Sequence, residues 1–275
     1  QQVRASLSGR LGQVAASEPR SAFPGGQGER SAVAYPAPEL SPHDEGTATN
    51  GALALPPATV GPMSLRVAAA NGDPSAQFEV AARLAEGKGT AQDYEEALRW
   101  YQRSAAKGFA QSQYRVGTLY ERGLGVGKDL ERAKIWYARA AEAGNVKAMH
   151  NLAVLIASGE HGTPDYKAAL PYFLQAAEHG LADSQYNLGV LLENGLGAKV
   201  DRVGAYKWYA LAAKAGDTDA IGRRDALKAE FAAGTLAAAD AAVAEFRARP
   251  ASPLANDARA AGEDWKKRVN SDTDI

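Results

Sequence analysis

Between residues 72 and 216, small, apolar and polar positions recur at a fixed step of 36 residues. Within one copy, Ala133, Trp136, Tyr137, Ala140 and Ala141 fall at i, i+3, i+4, i+7 and i+8. That spacing lines one face of an α-helix. The other copies place Trp100-Tyr101, Tyr172-Phe173 and Trp208-Tyr209 in the same register. Ahead of each such helix the pattern predicts another, over Pro74–Glu86, Ala110–Arg122, Val146–Ser158 and Ala182–Asn194. Glycines at 87, 123, 159 and 195 suit the left-handed position that ends a helix. Asp93, Asp129, Asp165 and Asp201 then suit the N-cap of the second helix, and Asp93 with Glu96 has the spacing of a capping box. Nine residues after each repeat glycine stands a small residue: Ala81, Gly117, Ala153 or Gly189. It lets the aromatic face of the neighbouring helix come close. The expectation is an all-α protein, an α/α superhelical solenoid of 36-residue helix–turn–helix repeats, in which each unit buries its apolar face on the next.

The solenoid is expected over 63–218, with repeats at about 72–107, 108–143, 144–179 and 180–215. A short helix over 64–70 precedes them. Beyond Gly216 the pattern decays, and helices over 219–233 and 236–249 are expected as a C-terminal cap with a polar outer face. Residues 250–275, after Pro250 and Pro253, read as a loose tail in which Trp265 docks on that cap. Residues 1–62 hold eight of the thirteen prolines and only Phe23 and Tyr35 of the twenty-one aromatics. So little apolar surface predicts a disordered Pro/Gly-rich linker.

Charge adds little. The net charge of −1 gives no electrostatic footprint for nucleic acid. The absence of cysteine excludes disulfides, thiolate metal sites and a cysteine nucleophile, and fits cytosol and periplasm alike. No apolar run approaches the roughly 18 residues of a membrane span. The chain opens on Gln1-Gln2 without a signal sequence, so a longer protein with a membrane anchor upstream is expected.

Three stretches have the outline of reactive sites. Ser104 and Lys107 form an S-x-x-K pattern, but Ser104 takes the packed position of Ala140, Ala176 and Ala212, and no S-D-N or K-T-G partner is present. Residues 123–128 form a glycine-rich loop ending in lysine, but it follows a helix, and Asp129 stands where a Ser or Thr would bind magnesium. The histidines lack metal-ligand spacing, and His150 fills the slot of Tyr114 and Tyr186. No catalytic, cofactor or metal residue is therefore expected.

A better candidate is a groove on the first-helix side of the repeats. The positions three, seven and fourteen after each repeat glycine share a helical face, and all are polar. From them come eight candidate peptide-binding residues: Gln111, Arg115, Arg122, Lys147, Asn151, Asp183, Asn187 and Asn194. Asparagine amides can bond a peptide backbone, and arginine can fork onto a carboxylate. The same pattern suits a solvated face whose asparagines brace neighbouring helices.

The repeated glycine, aromatic, small residue, Leu-Gly loop, aspartate, alanine and Trp-Tyr pair resemble the Sel1-like repeats, a branch of the tetratricopeptide-type solenoids. The third copy departs from the pattern, with His150 for the aromatic and Glu160–Pro164 for the usual loop, where an unusual shape is expected. The resemblance implies a concave face lined by first helices, a protein or peptide partner, no cofactor and no enzymatic activity. More narrowly, the RRDALKAEF and LAAADAAVAEF stretches after the repeats, with the Pro-rich stretch before them, resemble the periplasmic part of PodJ-type polar localisation factors of alphaproteobacteria. That implies a membrane-anchored scaffold. Two alternatives remain open: a periplasmic regulator that binds and inhibits a membrane sensor or enzyme, and a peptidoglycan-binding protein or cell-wall enzyme.

Overall fold

A computed structural model describes residues 54–159 and 163–271, and every regular element among them is helical. Residues 1–53, most of the expected linker, lie outside the described residues. So do 160–162, in the loop where an unusual shape is expected, and 272–275. The described residues form two compact units, one of 54–148 with 251–271 and one within 149–250.

The repeat helices have the same length, 13 residues. After α1 (Met63–Ala70), first helices are α2 (Pro74–Glu86), α4 (Ala110–Arg122), α6 (Val146–Ser158) and α8 (Ala182–Asn194). Second helices are α3 (Tyr94–Ala106), α5 (Leu130–Glu142), α7 (Tyr166–Glu178) and α9 (Arg202–Lys214).

The recurring aspartate fixes each hairpin at both ends of its residue. Its carboxylate accepts the N–H three residues on, at 2.8–3.0 Å for Asp93, Asp129, Asp165 and Asp201. Its own N–H donates back to a carbonyl of the first helix: Leu84, Tyr120, Ile156 or Leu192. That second bond overturns the capping box at Asp93. With the Asp93 N–H already committed to Leu84, the Glu96 carboxylate pairs with Arg99 instead.

The small positions on the first helices are contact points. A Cβ added at Gly117 would lie 2.8 Å from the Tyr137 ring, and one at Gly189 would lie 2.7 Å from the Tyr209 ring. The two rings are fully buried. Their hydroxyls donate to carboxylates of the same first helices, Tyr137 to Glu121 at 2.5 Å and Tyr209 to Glu193 at 2.7 Å. In the third repeat Phe173 lacks a hydroxyl, and the position equivalent to those glutamates is Ala157. Burying each such ring contributes roughly 1.5–3 kcal/mol.

In the unit of 149–250, α10 (Thr218–Glu230) and α11 (Ala233–Glu245) cover α9. Tyr206 of α9 donates to Asp240 at 2.7 Å and packs on Phe231, and Trp208 meets Phe246 edge-on at 5.7 Å. Helix α11 ends before the expected residue 249 because the chain turns extended at Phe246, which carries that ring to Trp208.

Two expectations about the flanks need correcting. The end of the presumed linker is folded onto the first repeat: Val60 is fully buried, and its carbonyl accepts from Arg83 at 3.2 Å. Nor are residues 250–275 simply a loose tail. They include α12 (Pro253–Asn256), α13 (Ala258–Glu263) and α14 (Trp265–Ser271). Helix α12 packs on α4, α13 on α2, and α14 on α1 and α2. Trp265 is buried and its backbone N–H donates to the Ser75 hydroxyl at 2.9 Å, so it docks on the first repeat and not on the C-terminal cap.

Candidate interaction surface

Of the eight candidate residues, Gln111, Arg115, Arg122 and Lys147 belong to one unit, and Asn151, Asp183, Asn187 and Asn194 to the other. In the first unit Gln111 is 4% exposed, Arg115 and Lys147 are half-buried, and Arg122 in the last turn of α4 is exposed. The Arg115 charge acts on the buried Tyr101 hydroxyl, whose pKa burial drives upward. In the second unit Asn187 is 3% exposed, while Asn151, Asp183 and Asn194 are half-buried. The Asn194 amide donates to Val190 in its own helix at 2.9 Å. Two of the eight, Gln111 and Asn187, thus have their amides packed away from solvent. Polarity at a shared register could not separate these from the exposed positions, because a hydrogen-bonded or close-packed amide looks the same in sequence as a solvated one.

The first-helix side of repeats 1 and 2 carries a polypeptide, the chain's own residues 253–268. Ser75, at the register of Gln111, donates to the Ala261 carbonyl at 2.6 Å and accepts from the Trp265 N–H. Asn145, 1% exposed, uses both ends of its amide. Its Oδ1 accepts from Ala148 and caps α6, while its Nδ2 donates to the Ala255 carbonyl. Asn256 answers from the segment: its Oδ1 accepts the Val146 N–H at 2.8 Å and its Nδ2 donates to the Gly144 carbonyl at 3.0 Å. Arg268 forks onto the Asp73 carboxylate, which together with Asp264 holds the guanidinium pKa up. Helix α13 lies so close to α2 that a Cβ on Gly262 would stand 2.5 Å from the Glu79 carboxylate. Sequence reading missed this segment. The available signals were Asp257 at an N-cap position, the small residues at 258, 260, 261 and 262, and a lone tryptophan beyond them.

The other motifs resolve into packing. The Ser104 hydroxyl is fully buried, donates to the Pro74 carbonyl at 2.7 Å and accepts from Ser112 at 2.6 Å. Lys107 donates to the Gly72 carbonyl, so serine and lysine have different partners. Gly125 of the glycine-rich loop abuts the start of α3, where an added Cβ would lie 2.4 Å from the Tyr94 carbonyl carbon. Gly197 meets Tyr166 in the same way in the other unit. His150 is buried against Phe173, with Nδ1 2.7 Å from the Ser184 hydroxyl, and burial lowers its pKa to about 4. Among the described residues there is no group of histidines and carboxylates able to hold a metal.

Stacked helix–turn–helix units of one length, joined by glycine turns, define an α/α solenoid protein. The Sel1 repeat family model matches residues 74–109, 110–145, 146–181 and 182–217, and the chain belongs to that family. A Sel1 repeat protein from Oxalobacter formigenes is similar at 34% identity and a TM-score of 0.56, over 59% of this chain and 47% of that one. The c5321 protective antigen of uropathogenic Escherichia coli, with an SLR fold, shares 25% identity at a TM-score of 0.42 over 74% of this chain and 50% of that one. A putative Sel1 repeat protein from Klebsiella pneumoniae shares 19% identity at a TM-score of 0.29, over 60% of this chain and 98% of that one. The chain spans about half the length of the first two. No curated protein matches it.

Proposed function

We propose that this chain is a non-catalytic scaffold that holds a segment of another protein on the first-helix side of its repeats. Sel1 repeats generally serve as protein–protein interaction scaffolds. One observation carries the reading for this chain: that side of repeats 1 and 2 already grips a polypeptide, through side-chain bonds to the carbonyls of Ala255 and Ala261. Such bonds hold a segment by its backbone, whose N–H and C=O groups every peptide carries. The buried Ser104 and the packed glycine-rich loop supply structural reasons for motifs that otherwise suggest chemistry.

In this reading the chain is a periplasmic domain of a membrane-anchored polar localisation factor. Support comes from the PodJ-type flanking stretches and from the lack of cysteine, which leaves the fold indifferent to an oxidising compartment. A photo-crosslinking residue at Lys147 or Arg122 tests the surface in cells. Adducts with one defined polypeptide are expected there and not from Glu131, an exposed position on α5. Equal labelling from Glu131, or retention of the chain by purified peptidoglycan in place of protein adducts, would contradict the scaffold. A fusion to alkaline phosphatase tests the compartment: activity in intact cells is expected, and a fluorescent cytoplasmic fusion with an inactive phosphatase would contradict it.

A further inference from the structure

We infer that residues 251–271 are a detachable internal ligand, which occupies a peptide seat on repeats 1 and 2 and the start of repeat 3 and must leave before a partner segment of like chemistry can bind. The inference rests on the scaffold reading and adds what the seat selects: a short helical segment with an asparagine, then two adjacent small residues, then tryptophan and arginine.

Three features separate this segment from the repeats it lies on. Its helices have only 4, 6 and 7 residues. Helices so short are not stable alone, so the seat holds them in shape. It buries mainly small residues, Ala255, Ala261 and Gly262, with Trp265 as the one large anchor, and it leaves Leu254, Arg259, Glu263 and Lys266 exposed. By contrast, the repeats bury both aromatic side chains of every second-helix pair.

The seat is also specific in its polar contacts. The buried Asn145 Nδ2 is reserved for a carbonyl of the segment, since Oδ1 is taken up in capping α6. Its counterparts after the repeat glycines are Asp73, Phe109, Leu181 and Asp217, so no other repeat offers an asparagine there. Asn256 in turn satisfies a first-turn N–H of α6 and the Gly144 carbonyl. Each of these two asparagines therefore bonds backbone groups of the residues adjacent to the other. Ser75 adds a two-sided contact, and Asp73 offers its carboxylate to Arg268. At Gly262 the approach is close enough that a larger residue would have to displace the Glu79 carboxylate.

The test uses the full chain with a site-specific protease sequence placed between Pro250, which is exposed, and Ala251. The probe is a fluorescein-labelled peptide of residues 251–275, followed by anisotropy before and after cleavage. The tethered copy competes at high effective concentration. Uncut chain should therefore bind the probe at least tenfold more weakly than cut chain, and the circular dichroism of both should remain helical. Probes carrying Asn256→Ala or Trp265→Ala, and cut chain carrying Asn145→Ala, should each bind at least tenfold more weakly. The idea is overturned by a cut chain that stays folded and never takes up the probe. It is equally overturned by an uncut chain that binds as well as the cut one, or by loss of helicity on cleavage, which would make the segment part of the core. Protein adducts from Lys147 alongside failed exchange would leave the scaffold standing without this seat. Exchange without adducts would leave the seat standing without a partner in cells.

Discussion

Residue by residue, the fold depends on a few positions where size or charge has little latitude. Gly117 is one. Alanine there would gain helix propensity, but its Cβ would meet the fully buried Tyr137 ring at 2.8 Å. Overpacking of a tight core costs about 1–3 kcal/mol, which outweighs the propensity gain of at most about 1 kcal/mol. Gly117→Ala should lower the urea midpoint, and an unchanged or raised midpoint would contradict the contact. His150 is another. Its pKa of about 4 in the fold lies below the ordinary 6.5, because burial disfavours the charged ring. The unfolded chain binds that proton more readily, so this contribution to stability is complete above pH 6.5 and is lost as pH falls toward 4. Between pH 7 and pH 5 the loss is about 2 kcal/mol. His150→Tyr, the aromatic of repeats 2 and 4, should flatten this part of the stability profile, measured by urea unfolding at both pH values. An equally steep profile in the variant would assign the dependence to other groups.

At the level of helices and loops, the glycine turns decide both legibility and geometry. The four first helices expected from sequence coincide with α2, α4, α6 and α8, since a proline, alanine or valine start and a glycine stop bracket each one. Second helices were equally plain because an aspartate caps each. Helices α10 and α11 were less so: alanine-rich sequence carries little amphipathic signal, and Phe246 leaves the helix for a ring contact no local pattern reveals. The glycine-rich loop shows how a motif is settled by its neighbours. Gly125→Ala would drive a Cβ into the backbone at Tyr94 and strain a residue at φ +67°, whereas Gly127 has open space around it. The first change should cost about 2 kcal/mol or more and the second under about 0.5 kcal/mol in urea unfolding. Equal costs would contradict the close loop-to-helix approach. Asp129→Ala, by loss of the α5 cap, should cost about 1 kcal/mol.

For the molecule as a whole, sequence reading found the repeats and missed what covers them. The candidate face was drawn from polarity at a shared register, which includes the buried Gln111 and Asn187 and omits Asn145. Asn145 lies in a turn outside that register, and its partner is over a hundred residues away. The Asp257 cap and the lone Trp265 mark a short helical segment, but they do not say where it docks, because its shape comes from the surface beneath it. The repeats are thus the fixed framework, and residues 251–271 are the layer most easily exchanged. Native-state hydrogen exchange on the intact chain tests that division most directly. Amides of α12, α13 and α14 should exchange through local opening, with rates nearly independent of low urea, while those of α2 to α5 exchange only with global unfolding. A single shared opening energy for the segment and the repeats would show that the segment belongs to the core, and that the repeats offer no exchangeable seat there.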